Sequence, residues 1–192
     1  MALNHSSDEH RWFQESRKGK DNPYSDYYYW FDEPRNDWGS LFGGTAWEFD
    51  EMRGQYYLHS YAVSQADLNW NHPAVVKEMQ DVVDFWVDLG VDGFRCDVIN
   101  IIYKDTLADG KKQLALTGIE HYLSTEGCHN ILQTLRREVL EPYGAFTVGE
   151  TVMVDIPKAR DLCDESRGEL DMLFSFEHMG CDDLGLKWFK TK

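Results

Sequence analysis

From residue 73 onward the apolar positions fall into two alternating rhythms. Pro73 opens a segment in which Val75, Met79, Val82, Val83 and Trp86 recur at helical spacing, and Gly90 stands where such a helix would stop. An amphipathic helix is predicted there. The apolar run "VDGFRCDVI" follows, then a loop through "KDTLADGKKQL". A second helix is predicted from about Cys128 to Leu140, with Ile131, Leu132, Leu135 and Val139 on one face. Next come a strand at "AFTVGETV", a short helix from near Pro157 through Leu162, and a third strand at "LDMLFSF". Alternation of helix and strand predicts an α/β fold, a parallel sheet covered by helices on at least one face.

Before residue 70 the pattern changes. The stretch "HRWFQESRKGKDNPYSDYYYWFDEPRNDWGSLFGGTAWEFDEMRGQYYLHSY" is rich in aromatics, Gly, Asp and Asn and has no sustained helical period. A loop-rich subdomain with short strands is expected. Tyr27, Tyr28, Trp30, Phe42 and Trp47 have the flat faces on which sugar rings stack. A subdomain with few strands also needs such large side chains for its own core. Most are assigned to that core, with Phe42 and Trp47 as the candidates for ligand contact.

Composition narrows the function. A chain of 192 residues with 42% hydrophobic content can bury the core of one ordinary domain, not of two large ones. Its net charge of −15, from 34 acidic and 19 basic residues, argues against a nucleic-acid or anionic-membrane partner, since both require a basic surface. No apolar run approaches the roughly 20 residues of a membrane-spanning helix. The opening "MALNHSSDEH" carries no signal-peptide pattern. Cys96, Cys128, Cys163 and Cys181 include no Cys-x-x-Cys pair, which suggests neither a zinc site nor a disulfide framework. Free thiols in a reducing, cytoplasmic compartment are expected, with no metal and no cofactor.

The candidate chemistry sits at the carboxyl ends of two predicted strands, where parallel α/β architectures build their sites. Arg95 and Asp97 lie two apart and so face the same side of an extended strand. The guanidinium can hold the neighbouring carboxylate ionised and oriented. Glu150, at the end of the second strand, has no basic residue within five positions on either side, so desolvation can keep it protonated. Two carboxyls in opposite protonation states are what glycosidic cleavage requires. Spacing alone leaves other readings open. Arg and Asp two apart also make an ordinary ion pair at a sheet end, and a lone Glu after a strand is commonly a helix cap.

"GVDGFRCDVIN" and "FTVGET" resemble the strand-four and strand-five signatures of the alpha-amylase superfamily, glycoside hydrolase family 13. "NHSSDEHRWFQESRKGKDNPYSDYYYW", "FGGTAWEFDE", "GQYYLHSY", "QADLNW" and "FSFEHMG" are similar to successive parts of its oligo-1,6-glucosidase branch, so essentially the whole chain is covered. The resemblance implies part of a (β/α)8 barrel, about strands three to six. Residues 1–5 would end strand three, 6–66 form an inserted subdomain, and 67–192 make a barrel segment. It also implies Asp97 as nucleophile, Glu150 as acid/base and Arg95 as support for the nucleophile. His5 would bind the sugar in the cleaved subsite, and Asn100 would lie at the pocket rim. The partner implied is an oligosaccharide.

Met1-Ala2-Leu3 stand where the family's strand-three motif begins with an aspartate, and the later His-Asp motif does not follow the third strand. The chain is therefore expected to be a piece of a longer enzyme. By itself it is expected to be inactive and prone to self-association through open sheet edges. Val98, directly after the nucleophile, resembles the version of the branch that handles α-1,6 bonds, although Val there is also ordinary core packing. Trehalose-6-phosphate hydrolases share the valine and resemble "QADLNW", and an α-1,4-glucosidase is a further alternative. Glucosidase-like ancillary ectodomains share the fold without hydrolysis, and the presence of both Asp97 and Glu150 argues against that class.

Overall fold

The structure is a computed structural model and describes residues 1–112, 117–174 and 176. The first third folds around short antiparallel strands. β1 (His5–Ser7) leads to a single-turn helix, α1 (Arg11–Ser16), then to β2 (Trp30–Phe31), β3 (Trp47–Asp50), β4 (Gln55–Leu58) and β5 (Gln65–Asp67). β2, β4 and β3 form one antiparallel sheet in that order, and β1 pairs with β5 in another. The helix α1 is not visible in the hydrophobic pattern because six residues give too few apolar positions to show a period. The His10 ring caps it by accepting from Trp12 N at 3.2 Å, and Phe13 plugs its buried face.

Large side chains supply this region's core. Tyr27, Tyr28 and Trp47 are buried, and Phe13 packs edge-on against Tyr28 and Tyr57 with ring centroids 5.2 and 5.1 Å apart. Trp47 donates its indole N–H to Asn36 Oδ1 at 2.9 Å and is sealed from solvent. It therefore cannot be the ligand contact that its composition suggested. Arg53 replaces missing regular structure. Its guanidinium lies 4.6 Å over the Trp30 ring and donates to Ser25 Oγ at 3.0 Å.

From residue 73 the elements lengthen. α2 (Pro73–Asp88) begins at Pro73, whose missing N–H would be unsatisfied there anyway, and His72 caps it by accepting from Ala74 N at 3.2 Å. Gly90, at φ 89°, takes the left-handed turn that ends it. Its buried stripe is Val75, Met79, Val83 and Val87. Val82 is half-buried and Trp86 is 47% exposed, so neither belongs to the core face expected of them. A strict four-residue step carries the stripe to Val87.

β6 (Gly93–Cys96) follows, and the chain then returns through α3 (Glu126–Leu135), which Thr125 caps by accepting from Cys128 N at 3.4 Å. The expected single helix to Leu140 is instead α3, a π turn over Arg136–Leu140 and α4 (Glu141–Tyr143). Glu141 N–H reaches the Arg136 carbonyl five residues back, and Pro142 next in line has no N–H to restore the ordinary register. β7 (Phe146–Gly149), α5 (Ile156–Cys163) and β8 (Met172–Leu173) complete the described elements, with Cys181 outside the described residues.

β6, β7 and β8 form a parallel sheet in that order, with Cys96 opposite Gly149. The first residues join its other side, where Ala2 bridges Asp97 in parallel and Asp97 N donates to Met1 O at 2.8 Å. The α/β class is as expected. Among the described residues, no helix is long and apolar enough to cross a membrane.

Candidate active site

Asp97 and Glu150 each follow directly on the last residue of a β-strand, β6 and β7, and those strands are neighbours in the sheet. Parallel register puts Cys96 beside Gly149, so the next residues along the two strands are the two acids. Neighbouring strands run about 4.8 Å apart. Both side chains are partly open to solvent, at 27% and 24% exposure.

Arg95 reaches both acids from within β6. One guanidinium nitrogen donates to Asp97 Oδ1, and the other lies against Glu150 Oε2. The pairing with Asp97 follows from the two-residue spacing, because side chains two apart in a strand share a face. The pairing with Glu150 does not. Glu150 has no basic neighbour in sequence, yet the parallel sheet delivers one across the strand, so the isolation expected of it is absent. Its Oε2 is buried against that guanidinium as an ion pair.

The backbone at Val98 is unusual. It takes φ 40°, ψ 41°, the left-handed region that a β-branched residue seldom enters, at a cost on the order of 1–3 kcal/mol. Buried packing opposes that strain: Val98 lies in one cluster with Tyr61, Ile101 and Tyr122. The left-handed step ends the strand at once and turns the chain into a short 3-10 turn, Ile99–Ile101.

His5 opens β1, half-buried, and its Nε2 lies 3.0 Å from Gln65 Nε2. Burial pushes its pKa below the ordinary value, and Asp67 and Asp97 oppose that shift by attracting the imidazolium. The His5 ring is 5.5 Å from Tyr61, and Tyr61 is 5.8 Å from Phe42, which is 71% exposed. These three rings form a continuous aromatic row, and His5 and Tyr61 lie within electrostatic reach of Asp97. Sequence reasoning missed Tyr61, which its place in "GQYYLHSY" gave no separate reason to single out. Its hydroxyl is buried and has no hydrogen-bond partner among the described residues, and burial, Asp67 and Asp97 all push its pKa upward.

Asn100 is not at a rim. It is wholly buried, and its amide holds the segment after Glu150: Oδ1 accepts from Val152 N at 3.0 Å and Nδ2 donates to Val152 O at 2.9 Å. Nearby, Lys104 points inward. Its ammonium donates to Asn4 Oδ1 at 2.7 Å and pairs with Asp67 Oδ2 at 2.7 Å. No sequence signal linked these residues.

Among the described residues, no group of three or more His, Cys, Asp or Glu side chains gathers to hold a metal ion. Burial raises the Cys96 thiol to about 11 and the Cys128 thiol to about 12, which keeps both protonated and unreactive at neutral pH. What the site offers is therefore two carboxyls bridged by one guanidinium, with an aromatic row whose His5 and Tyr61 are in electrostatic reach of Asp97. That is equipment for acid–base or nucleophilic chemistry on a neutral, ring-shaped substrate.

Comparison with known proteins supplies the lineage. The family described as "Alpha amylase, catalytic domain" matches residues 1–190. An oligo-1,6-glucosidase of Parageobacillus thermoglucosidasius is 49% identical over 197 residues, covering 98% of this chain and 35% of that protein. The trehalose-6-phosphate hydrolase of Bacillus subtilis is 40% identical over 194 residues, covering 98% of this chain and 34% of that protein. Among solved structures, a trehalose-6-phosphate hydrolase of Bacillus licheniformis superposes with a TM-score of 0.91 at 42% identity, over 96% of this chain and 34% of that one. The chain spans about a third of the length of these relatives.

Proposed function

This chain belongs to the alpha-amylase catalytic-domain family, and from that premise we propose that it carries the two catalytic carboxyls of a retaining α-glucosidase acting on α-1,6-linked glucosides. One observation carries the reading: Asp97 and Glu150 end adjacent parallel strands and share the Arg95 guanidinium. Carboxyls on neighbouring strands suit the separation of about 5 Å that double displacement uses.

In the first half-reaction the Asp97 carboxylate attacks the anomeric carbon as its bond to the glycosidic oxygen breaks. Glu150 gives its proton to that leaving oxygen, and a covalent glucosyl–Asp97 ester forms. In the second, Glu150 takes a proton from water as that water displaces Asp97, releasing glucose with its starting anomeric configuration. Arg95 has a different part in each half. Its contact with Asp97 aims the nucleophile. Its contact with Glu150 favours the ionised form, which the second half needs. Protonated Glu150, needed for the first half, requires that contact to loosen as the sugar enters. His5, Tyr61 and Phe42 would line the sugar's side of the pocket.

The domain reading follows the same premise. On it, residues 1–5 would end a third barrel strand, 6–66 would form the inserted subdomain and 67–192 would be a barrel segment, of which 113–116, 175 and 177–192 lie outside the described residues. Cys96 and Cys128 are buried free thiols, which suit a reducing compartment, and the cytoplasm is proposed on that ground.

Proton NMR of the glucose first released from an aryl α-glucoside by the full-length protein tests the reaction. α-Glucose appearing first supports double displacement, and β-glucose first would overturn it. A second reading, a phosphorylated disaccharide as substrate, is supported by the similarity to trehalose-6-phosphate hydrolases. Comparing hydrolysis of isomaltose with that of trehalose 6-phosphate decides between the two.

A further inference from the structure

The segment that carries Glu150 is stapled to the segment that carries Asp97 on both sides of each acid. Glu150 N donates to Cys96 O at 2.8 Å, just before Asp97, and Ile99 N donates to Glu150 O at 3.0 Å, just after Val98. Regular strand pairing stops there. Two residues beyond Glu150, the side chain of Asn100 takes over, accepting from Val152 N at 3.0 Å and donating to Val152 O at 2.9 Å. A primary amide has the same donor and acceptor pair as a peptide group, so Asn100 pairs with Val152 as another strand residue would. Its remaining amide hydrogen goes to Ser124 Oγ at 3.1 Å, and its own carbonyl accepts from Ser124 N at 2.7 Å. Each side-chain hydrogen-bonding atom of this wholly buried residue is therefore committed, and no water is needed to satisfy it.

The left-handed backbone of Val98 explains how the residue arrives there. An extended Val98 would have carried the chain on along the strand. At φ 40°, ψ 41° it turns instead into Ile99–Ile101 and brings Asn100 under Val152.

On the function proposed above, we infer that Asn100 is a positioning residue for the acid/base: it fixes Glu150 relative to Asp97 by pinning the segment after Glu150 to the turn after Asp97. It does not touch substrate. Glu150 is held before and after by Cys96 and Ile99, and the leverage that would let it swing away lies in residues 151 and 152, where Asn100 grips.

General-acid positioning has a signature that a merely structural role lacks. Poor leaving groups need the proton from Glu150, whereas 2,4-dinitrophenolate leaves without it. The experiment uses the full-length protein with Asn100→Ala and Asn100→Asp, each rate expressed per active site counted by burst titration with the dinitrophenyl α-glucoside. The expected result is a loss of about tenfold or more in kcat/KM on isomaltose, within the range general acid catalysis contributes, with less than about threefold on the activated glucoside. Glu150→Gln should show the same asymmetry more strongly. Equal losses on both substrates, unchanged rates on both, or no titratable sites in either variant would each overturn the inference. Failure of the functional reading looks different: there the wild type releases no glucose, or Asp97→Asn retains wild-type turnover, whatever happens at Asn100.

Discussion

Lys104 and Asp67 form an ion pair with no exposure on either side chain, Nζ to Oδ2 at 2.7 Å, joining the turn after β6 to strand β5. The pair is well supported. Asp67 also accepts from Ser60 N at 2.8 Å and from Asn4 Nδ2 at 3.2 Å, and Lys104 also donates to Asn4 Oδ1 and to Ile101 O. It ties the β1–β5 sheet to the turn that follows β6.

Lys104→Met should therefore destabilise the protein by about 3–5 kcal/mol, because it leaves a carboxylate buried without its cation. Adding Asp67→Asn should recover part of the loss, so that the double variant is less destabilised than the sum of the singles. Denaturant unfolding of the four proteins measures this. Additive losses would mean that the two charges do not depend on each other.

Asp97→Asn in the full-length protein should lower turnover by several orders of magnitude while leaving sugar binding largely intact, since it removes the nucleophile and preserves its shape. Steady-state kinetics beside calorimetric titration of a non-hydrolysed sugar separates the two effects. Turnover within tenfold of wild type would remove Asp97 from the mechanism.

Val98→Thr should shift the preference between isomaltose and maltose. The substitution keeps the β-branch beside the nucleophile and changes only a methyl to a hydroxyl. An unchanged ratio of kcat/KM for the two sugars would reduce Val98 to a packing residue of the cluster it shares with Tyr61 and Ile101.

Gly149→Ala tests how tightly the strand end is built. A methyl carbon there would sit 2.7 Å from Leu170 Cδ1 and 3.1 Å from Ile99 Cγ2. Overpacking of this kind costs about 1–3 kcal/mol, and the displacement falls on the residue before Glu150. A lowered melting temperature together with lowered turnover is the expected outcome. Wild-type values for both would show that Leu170 and Ile99 yield freely.

The protonation of His5 gives a pH prediction with a definite sign. Its pKa in the folded protein lies below 6.5, chiefly through burial. The unfolded chain therefore binds more protons than the folded one between the folded pKa and 6.5. Stability should fall as pH drops through that window. NMR titration of the His5 ring should show a midpoint below 6.5, and a midpoint above it would reverse the sign.

Much of the chemistry was legible in the residues themselves. Alternation of apolar rhythm determined the α/β class, since helical and extended periods are local properties of the chain. Pro73 and Gly90 marked the first long helix for the same reason, and the two-residue step from Arg95 to Asp97 fixed their common face. What local pattern could not hold is everything that depends on which strands become neighbours. The pairing of β6 with β7 places Arg95 against Glu150, 55 positions away in sequence, which changes Glu150 from an isolated acid into a shared one. The left-handed step at Val98 sends Asn100 inward instead of to the rim, and burial of Val98 in the cluster with Tyr61 and Tyr122 opposes the strain of that backbone. Lys104 and Asp67 lie 37 positions apart with nothing local to link them, and the fold removes both from water at once. Periodicity reports the face a residue presents, whereas its charge environment is set by chain segments that arrive from elsewhere, and those arrivals are decided by the tertiary structure alone.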